Sequence, residues 1–243
     1  LNWCRLQAEQ FAPYICDTGA FLQDGCHQGK RIVLEAQLGA MRDIDYGIFP
    51  FTSSSSTLAA YAPLGAGIPN CKPDHVVGVL KAYSTCVGAG PFAAENAMDE
   101  GWNEMLRKAG GEYGAATGRP RRVGPFDCVA SRYGLSCQGA DKIALTKLDV
   151  LDQLQEIPVI TGYQLDGATC SAFDPLSDLD LVKPIVTMLP GWHKDISACD
   201  SWDLLPENAK RYVSFLEQQL NHEIQFISTG AEREKFVLKG AWL

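Results

Sequence analysis

The chain has 243 residues, 46% of them hydrophobic and 21% charged, with a formal net charge of −8. That length fits one large α/β domain or two small ones and is enough to bury a sizeable core. The acidic balance argues against binding to nucleic acid or to an anionic membrane surface, and no run reaches the roughly 18 apolar residues of a membrane span.

Residues 1–29 read as helical, with breaks near Pro13 and Gly25. The β-branched run RIVLEA at 31–36 has the composition of a short buried strand. Residues 42–69 are rich in Gly, Ser and Pro, and a loop of that length in a compact domain is usually functional. Apolar structure returns over 74–88. Residues 94–110 read as a helix with Arg107 and Lys108 in its last turn. A second helix over 125–139 carries Gly139 as its cap. KIALTKLD at 142–149 is the cleanest strand, with Ile143, Ala144 and Leu145 buried. IPVITGYQLDG at 157–167 reads as a hairpin strand. The segment 206–223 predicts a helix that starts at Pro206 and buries Ala209, Val213, Leu216 and Leu220. IQFISTG at 224–230 is a final strand running into a Gly turn. Neither repeats nor a linker interrupt this order, so the expectation is one α/β domain over 1–243.

Nine cysteines, an odd number with no C-x-x-C pair, argue against a disulfide framework and against a structural zinc site. They predict reduced, buried thiols. The expected compartment is the cytoplasm or an organellar matrix, not the exterior. The opening LNWCRLQAEQ has no Met and no signal-like segment, which leaves targeting open.

Two clusters could carry chemistry. In TKLD, Asp149 follows a buried strand, where ligands of parallel sheets gather. A carboxylate there can accept two parallel hydrogen bonds from the N1–H and N2–H edge of guanine, and adenine cannot supply that pair. The stem of Lys147 can cover the base while its ammonium stays wet. The plain alternative is a strand followed by a helix, with Asp149 as N-cap. In ISTG, Ser228 and the turn at Gly230 contact a ligand or form only a turn. In AATGRPRR, Arg119, Arg121 and Arg122 crowd one loop beside Thr117 and Gly118. Guanidinium groups bind carboxylate and phosphate in two-point geometry, so an anion is expected there, against the alternative of a solvated patch. GCHQGK at 25–30 is not a phosphate loop. It has one residue too few between its glycines, no Ser or Thr after Lys30, and it precedes a strand.

RDIDYGIFPFTSS, KAYST, VGAGPF, ATGRPRR, ALTKLDVLD, LPGW, LPENA and ISTG occur in this order. Together they resemble the C-terminal part of adenylosuccinate synthetase, over nearly the whole chain from about Arg31. The resemblance implies an α/β fold around a large, mostly parallel central sheet flanked by helices, related to P-loop folds and truncated at its N-terminus. It implies a GTP-dependent ligation of L-aspartate to IMP, giving adenylosuccinate, GDP and phosphate, with Mg2+ required. By resemblance, Arg119 and Arg121 hold the aspartate carboxylates with Thr117 assisting, and Arg119 also lies near the IMP ribose. Val87 touches that ribose, and Ser53 stands where the family binds the IMP phosphate with Thr. Lys147 and Asp149 read guanine, with Ser228 and Gly230 beside it.

Several positions depart from the family pattern. Leu38 stands where the family reads hypoxanthine with Gln, and Gln37 is one position away. Ala116 replaces a Thr, Cys86 an Arg and Ser56 an Asn, and Ala60 and Tyr61 replace glycines. The family's phosphate loop, catalytic Asp and His and magnesium contacts belong to an N-terminal segment, so this chain is expected to contain no catalytic residue and no metal ligand, and to bind neither Mg2+ nor GTP as the alternative to the family's behaviour. Two readings follow: a portion of an active ligase, or a degenerate relative serving as a structural subunit. A fold without its first strands presents an exposed sheet edge, so a partner is expected, either in a homodimer or in a larger hetero-assembly.

Overall fold

The computed structural model describes residues 1–240, so the last three positions of the domain expected over 1–243 lie outside the described residues. Two helices lead the chain, α1 (Asn2–Phe11) and α2 (Thr18–His27). Pro13 separates them in a single 3-10 turn, where its missing N–H costs nothing. Asp17 caps α2 by accepting from the backbone N–H of Ala20 at 2.9 Å. The second break falls after Gly25, at Gln28 and Gly29. Neither helix buries a residue, and Trp3, Leu6, Phe11 and Phe21 are exposed.

The run at 31–36 is not the buried strand its composition predicts. It has no regular structure and no strand partner, and Val33 is 91% exposed. A strand needs a neighbour to satisfy its amides, and none lies alongside. The loop over 42–69 is irregular as expected, broken by single turns and by the short α3 (Ala62–Gly65). Asp43 pins it from within, accepting from the backbone N–H groups of Asp45 and Tyr46 at 3.0 Å and Thr57 at 2.7 Å. Burial alone would raise the Asp43 pKa, but these amide bonds outweigh it and hold the carboxyl below its ordinary range.

The main sheet has the order β1 (Val77–Lys81), β5 (Lys142–Thr146), β9 (Ile224–Ser228), β10 (Phe236–Leu238). The first three strands are parallel and β10 runs antiparallel. β1 forms one edge, with Val79 69% exposed. A second sheet is built on β6 (Glu156–Leu165). It pairs in parallel with β4 (Phe126–Asp127) and antiparallel with β7 (Ala168–Cys170) and β8 (Lys183–Pro190). A third, small antiparallel ladder pairs β2 (Ser84–Cys86) with β3 (Arg122–Gly124). The fold is α/β, as expected, with mixed sheets flanked by helices. β8 has no counterpart among the expected elements; it carries Pro184 and Pro190, and as an edge strand it tolerates both.

Helices α4 (Glu100–Gly110), α5 (Cys128–Gln138) and α6 (Glu207–Leu220) cover the sheets. Gly111 and Gly139 end α4 and α5 in the left-handed conformation that glycine adopts without a Cβ clash. Ala209, Val213, Leu216 and Leu220 of α6 are all buried, at its expected spacing, against Leu145, Ile224 and Ile227. Each such leucine contributes about 1.5–3 kcal/mol by leaving water. The nine thiols are free, but only Cys128 and Cys199 are buried, so burial of the cysteines as a class is not observed. They lie mostly in surface helices and loops instead of strands. Among the described residues no helix is long and apolar enough to cross a membrane.

Candidate functional site

The three parallel strands end at one edge. Lys81 pairs with Thr146, and Leu145 with Ile227, so β1, β5 and β9 deliver Lys81, Lys147 and Ser228 side by side. Lys147 leaves β5 in the left-handed conformation, φ 60°, and a single 3-10 turn, Leu148–Leu151, follows. That sharp turn stops β5 and directs Asp149 back beside the strand end. Asp149 is not the helix N-cap of the plain alternative: no side chain caps this turn, and Asp149 Oδ1 is buried without a hydrogen-bond partner. Burial raises its pKa, while its own backbone amide and Lys147 act against the rise. A buried carboxylate oxygen without donors costs about 1–3 kcal/mol, so its retention asks for an explanation.

Ser228 and Gly230 sit on the adjoining strand end. Ser228 Oγ donates to Gly230 O at 2.8 Å, and Thr229, fully buried between them, donates to Cys199 O at 3.3 Å. A Cβ on Gly230 would meet Lys235 Cβ at 3.0 Å, a tight contact that Lys235 would have to yield. The four residues expected to surround one base therefore come from adjacent strand ends.

The arginine loop closes on itself. Tyr113 bridges Pro120, and the N–H of Gly114 donates to Arg119 O at 2.8 Å. Gly118 takes φ 63° at the tip, which only a residue without Cβ adopts freely. Arg119 and Thr117 stand exposed there, with the Arg119 amide 3.4 Å from Thr117 Oγ1. Arg121 and Arg122 each already hold an internal carboxylate. Arg121 Nη1 donates to Glu112 Oε2 at 2.8 Å. Arg122 donates to Glu95 Oε2 at 2.7 Å and lies over the Phe92 ring. Internal carboxylates thus relieve much of the repulsion that the sequence suggested.

Glu112 is the residue that sequence reasoning missed. Its side chain is fully buried and accepts from Lys81 Nζ at 2.8 Å, Tyr83 Oη at 2.6 Å and Arg121, with Lys147 Nζ at 3.5 Å. Burial would raise its pKa, but the bonds from Lys81, Tyr83 and Arg121 win and push it from 4.5 to about 2. The same contact raises the Tyr83 phenol well above its ordinary value, after burial as the larger cause. Lys147 Nζ also donates to Gly110 O at 2.6 Å. The only hint in the sequence is a lone Glu after two glycines, which by itself says nothing of burial.

Ser53 and Val87 meet through Arg42, a second residue missed from sequence. Arg42 donates to Phe51 O, Val87 O and Ala89 O, and its own carbonyl accepts from both the N–H and Oγ of Ser53 at 2.9 Å. Cys86 pairs with Arg122 in the β2–β3 ladder, so Val87 and Arg121 leave it at the same end. Of the departing positions, Leu38 holds φ 69° and is 54% exposed. Gln37, Ser55 and Ser56 line an open cleft of about 350 Å³ beside it.

The adenylosuccinate synthetase family model matches residues 1–237. The chain is 42% identical over 240 residues to the adenylosuccinate synthetase of Thermomicrobium roseum, covering 98% of this chain and 55% of that protein. It is 39% identical over 237 residues to that of Koribacter versatilis, covering 97% and 53%. The structure of fully ligated adenylosuccinate synthetase from Plasmodium falciparum superposes with a TM-score of 0.90 at 33% identity, over 98% of this chain and 57% of that one. The chain spans about half the length of the curated relatives it matches.

Proposed function

The chain belongs to the adenylosuccinate synthetase family, and from that premise we propose that it carries the guanine-base and aspartate subsites of a GTP-dependent ligation of L-aspartate to IMP. The observation that carries this reading is Asp149 Oδ1, buried and unpartnered at the carboxyl end of β5. The N1–H and N2–H edge of guanine offers two parallel donors, one of which would satisfy Oδ1. The Lys147 stem covers the ring, and Ser228 and Gly230 flank it. Arg119 and Arg121 receive the aspartate carboxylates with Thr117 beside them, and Arg119 lies near the IMP ribose. Val87 faces that ribose, and Ser53 the IMP phosphate. The amide of Gln37 in the cleft supplies a base contact that Leu38 cannot make.

The chain is taken as one domain, and the family implies a homodimer. Turnover is proposed for a protein that contains this chain together with the length of its relatives that it does not span. Mg2+ is expected for the family's phosphoryl transfer. Among the described residues no three His, Cys, Asp or Glu side chains converge as ligands. The alternative of an inactive structural subunit has no observation in its favour.

Calorimetry with GDP and Mg2+, with ADP as control, tests the base site. Selective GDP binding that Asp149→Ala abolishes is the expected result. Equal binding of GDP and ADP, or none at millimolar GDP, refutes the reading.

A further inference from the structure

One group touches both proposed subsites. Glu112 Oε2 takes Arg121 Nη1 at 2.8 Å, while Oε1 takes Lys81 Nζ at 2.8 Å and lies 3.5 Å from Lys147 Nζ. Three cations therefore share a single carboxylate that has no solvent exposure. In such a place charges are screened little, and a change at one partner is felt by the others. Arg121 and Lys147 differ in how firmly they are held. Arg121 makes a short charged bond, and its side chain is 34% exposed, open to an arriving anion. Lys147 stands off at 3.5 Å and is tied to Gly110 O as well.

We propose that Glu112 is a positioning residue that couples the two subsites through this shared charge. It rests on the reading above for the identity of the ligands, a carboxylate at Arg121 and a guanine base at Asp149. A dicarboxylate at Arg121 competes with Oε2 for the guanidinium. As Arg121 turns outward, Glu112 keeps its charge and draws the Lys147 ammonium toward Oε1. The Lys147 stem is then held down where the base must stack, so its ordering has already occurred when guanine arrives. Coupling of this kind is reciprocal: each ligand tightens the other by the same factor. No bond to substrate is made by Glu112 itself.

Two measurements on the 243-residue chain test this. In the first, succinate is titrated while NMR follows Arg121 Nε–Hε and Lys147 Cε–Hε. Both signals should move with one midpoint in the wild type, and Arg121 alone in Glu112→Gln. Movement of Arg121 alone in the wild type, or of neither signal, overturns the inference. This titration of the wild type stands even if Glu112→Gln fails to fold. In the second, GDP is titrated with and without saturating succinate. Its Kd should fall about fivefold or more in the wild type and by less than about twofold in Glu112→Gln. An unchanged GDP Kd in a wild type that binds both ligands also overturns it. A wild type that binds no GDP refutes the guanine site, while the succinate titration still decides the link.

Discussion

Replacing Glu112 with Gln keeps the shape and the acceptor for Tyr83 but removes the charge that Lys81, Arg121 and Lys147 share. The carboxyl is pushed from 4.5 to about 2 in the fold. At about 1.36 kcal/mol for each tenfold change, that difference stabilises the native state by about 3 kcal/mol at pH 7. The folded pKa is depressed, so the contribution is full above about 4.5 and is lost as pH falls through about 2. At pH 3 less than half of it remains. Urea unfolding of both proteins at pH 7 and pH 3 measures the difference. Glu112→Gln should cost about 3 kcal/mol at pH 7 and less than half of that at pH 3. A cost that does not change with pH would show that the carboxylate acts only as a hydrogen-bond acceptor, and a cost below about 1 kcal/mol at pH 7 would refute the buried ion cluster altogether.

Asp149→Asn should raise stability by about 1 kcal/mol at pH 7, because a neutral amide bears burial without donors better than a carboxylate does. The folded pKa of Asp149 is raised, so the wild-type penalty fades as pH falls through it and the two thermal unfolding curves should converge in acid. Guanine-selective binding should be lost in the same variant, measured by calorimetry. Gly191→Ala should cost about 3 kcal/mol in chemical unfolding, since a Cβ there would stand 1.8 Å from Leu154 O, a backbone atom that cannot move aside alone. Arg119→Ala should change stability by less than about 0.5 kcal/mol, because its side chain is exposed on the loop tip. Succinate affinity of that variant should drop about tenfold for the lost charged hydrogen bond.

The sequence by itself determined the local elements whose signals are self-contained. The stripe Ala209, Val213, Leu216, Leu220 repeats at helical spacing, and the structure buries that face as α6. Gly139 needs only its own missing Cβ to end α5, and Ile143 to Leu145 need only to be apolar to be driven inside as β5. The places of Lys147, Asp149, Ser228 and Gly230 at strand ends were legible for the same reason, because the strands themselves could be read.

Where a residue's state depends on what the rest of the chain brings to it, only the tertiary structure decided. The run at 31–36 has strand composition but no neighbour, and a strand exists only as a pair. β8 carries two prolines and still forms, because it pairs along one side only. Glu112 follows two glycines just past α4, and glutamate is almost never fully buried unless paired. Its pairing required the end of β1 to bring Lys81, the turn beyond β5 to bring Lys147, and the arginine loop to fold back with Arg121. These partners lie between 9 and 35 positions away along the chain, and no local pattern encodes their meeting. Charge neutralisation in the interior is a property of the assembled neighbourhood, so the fold had to be complete before the arginine loop's first anion could be seen to be its own glutamate.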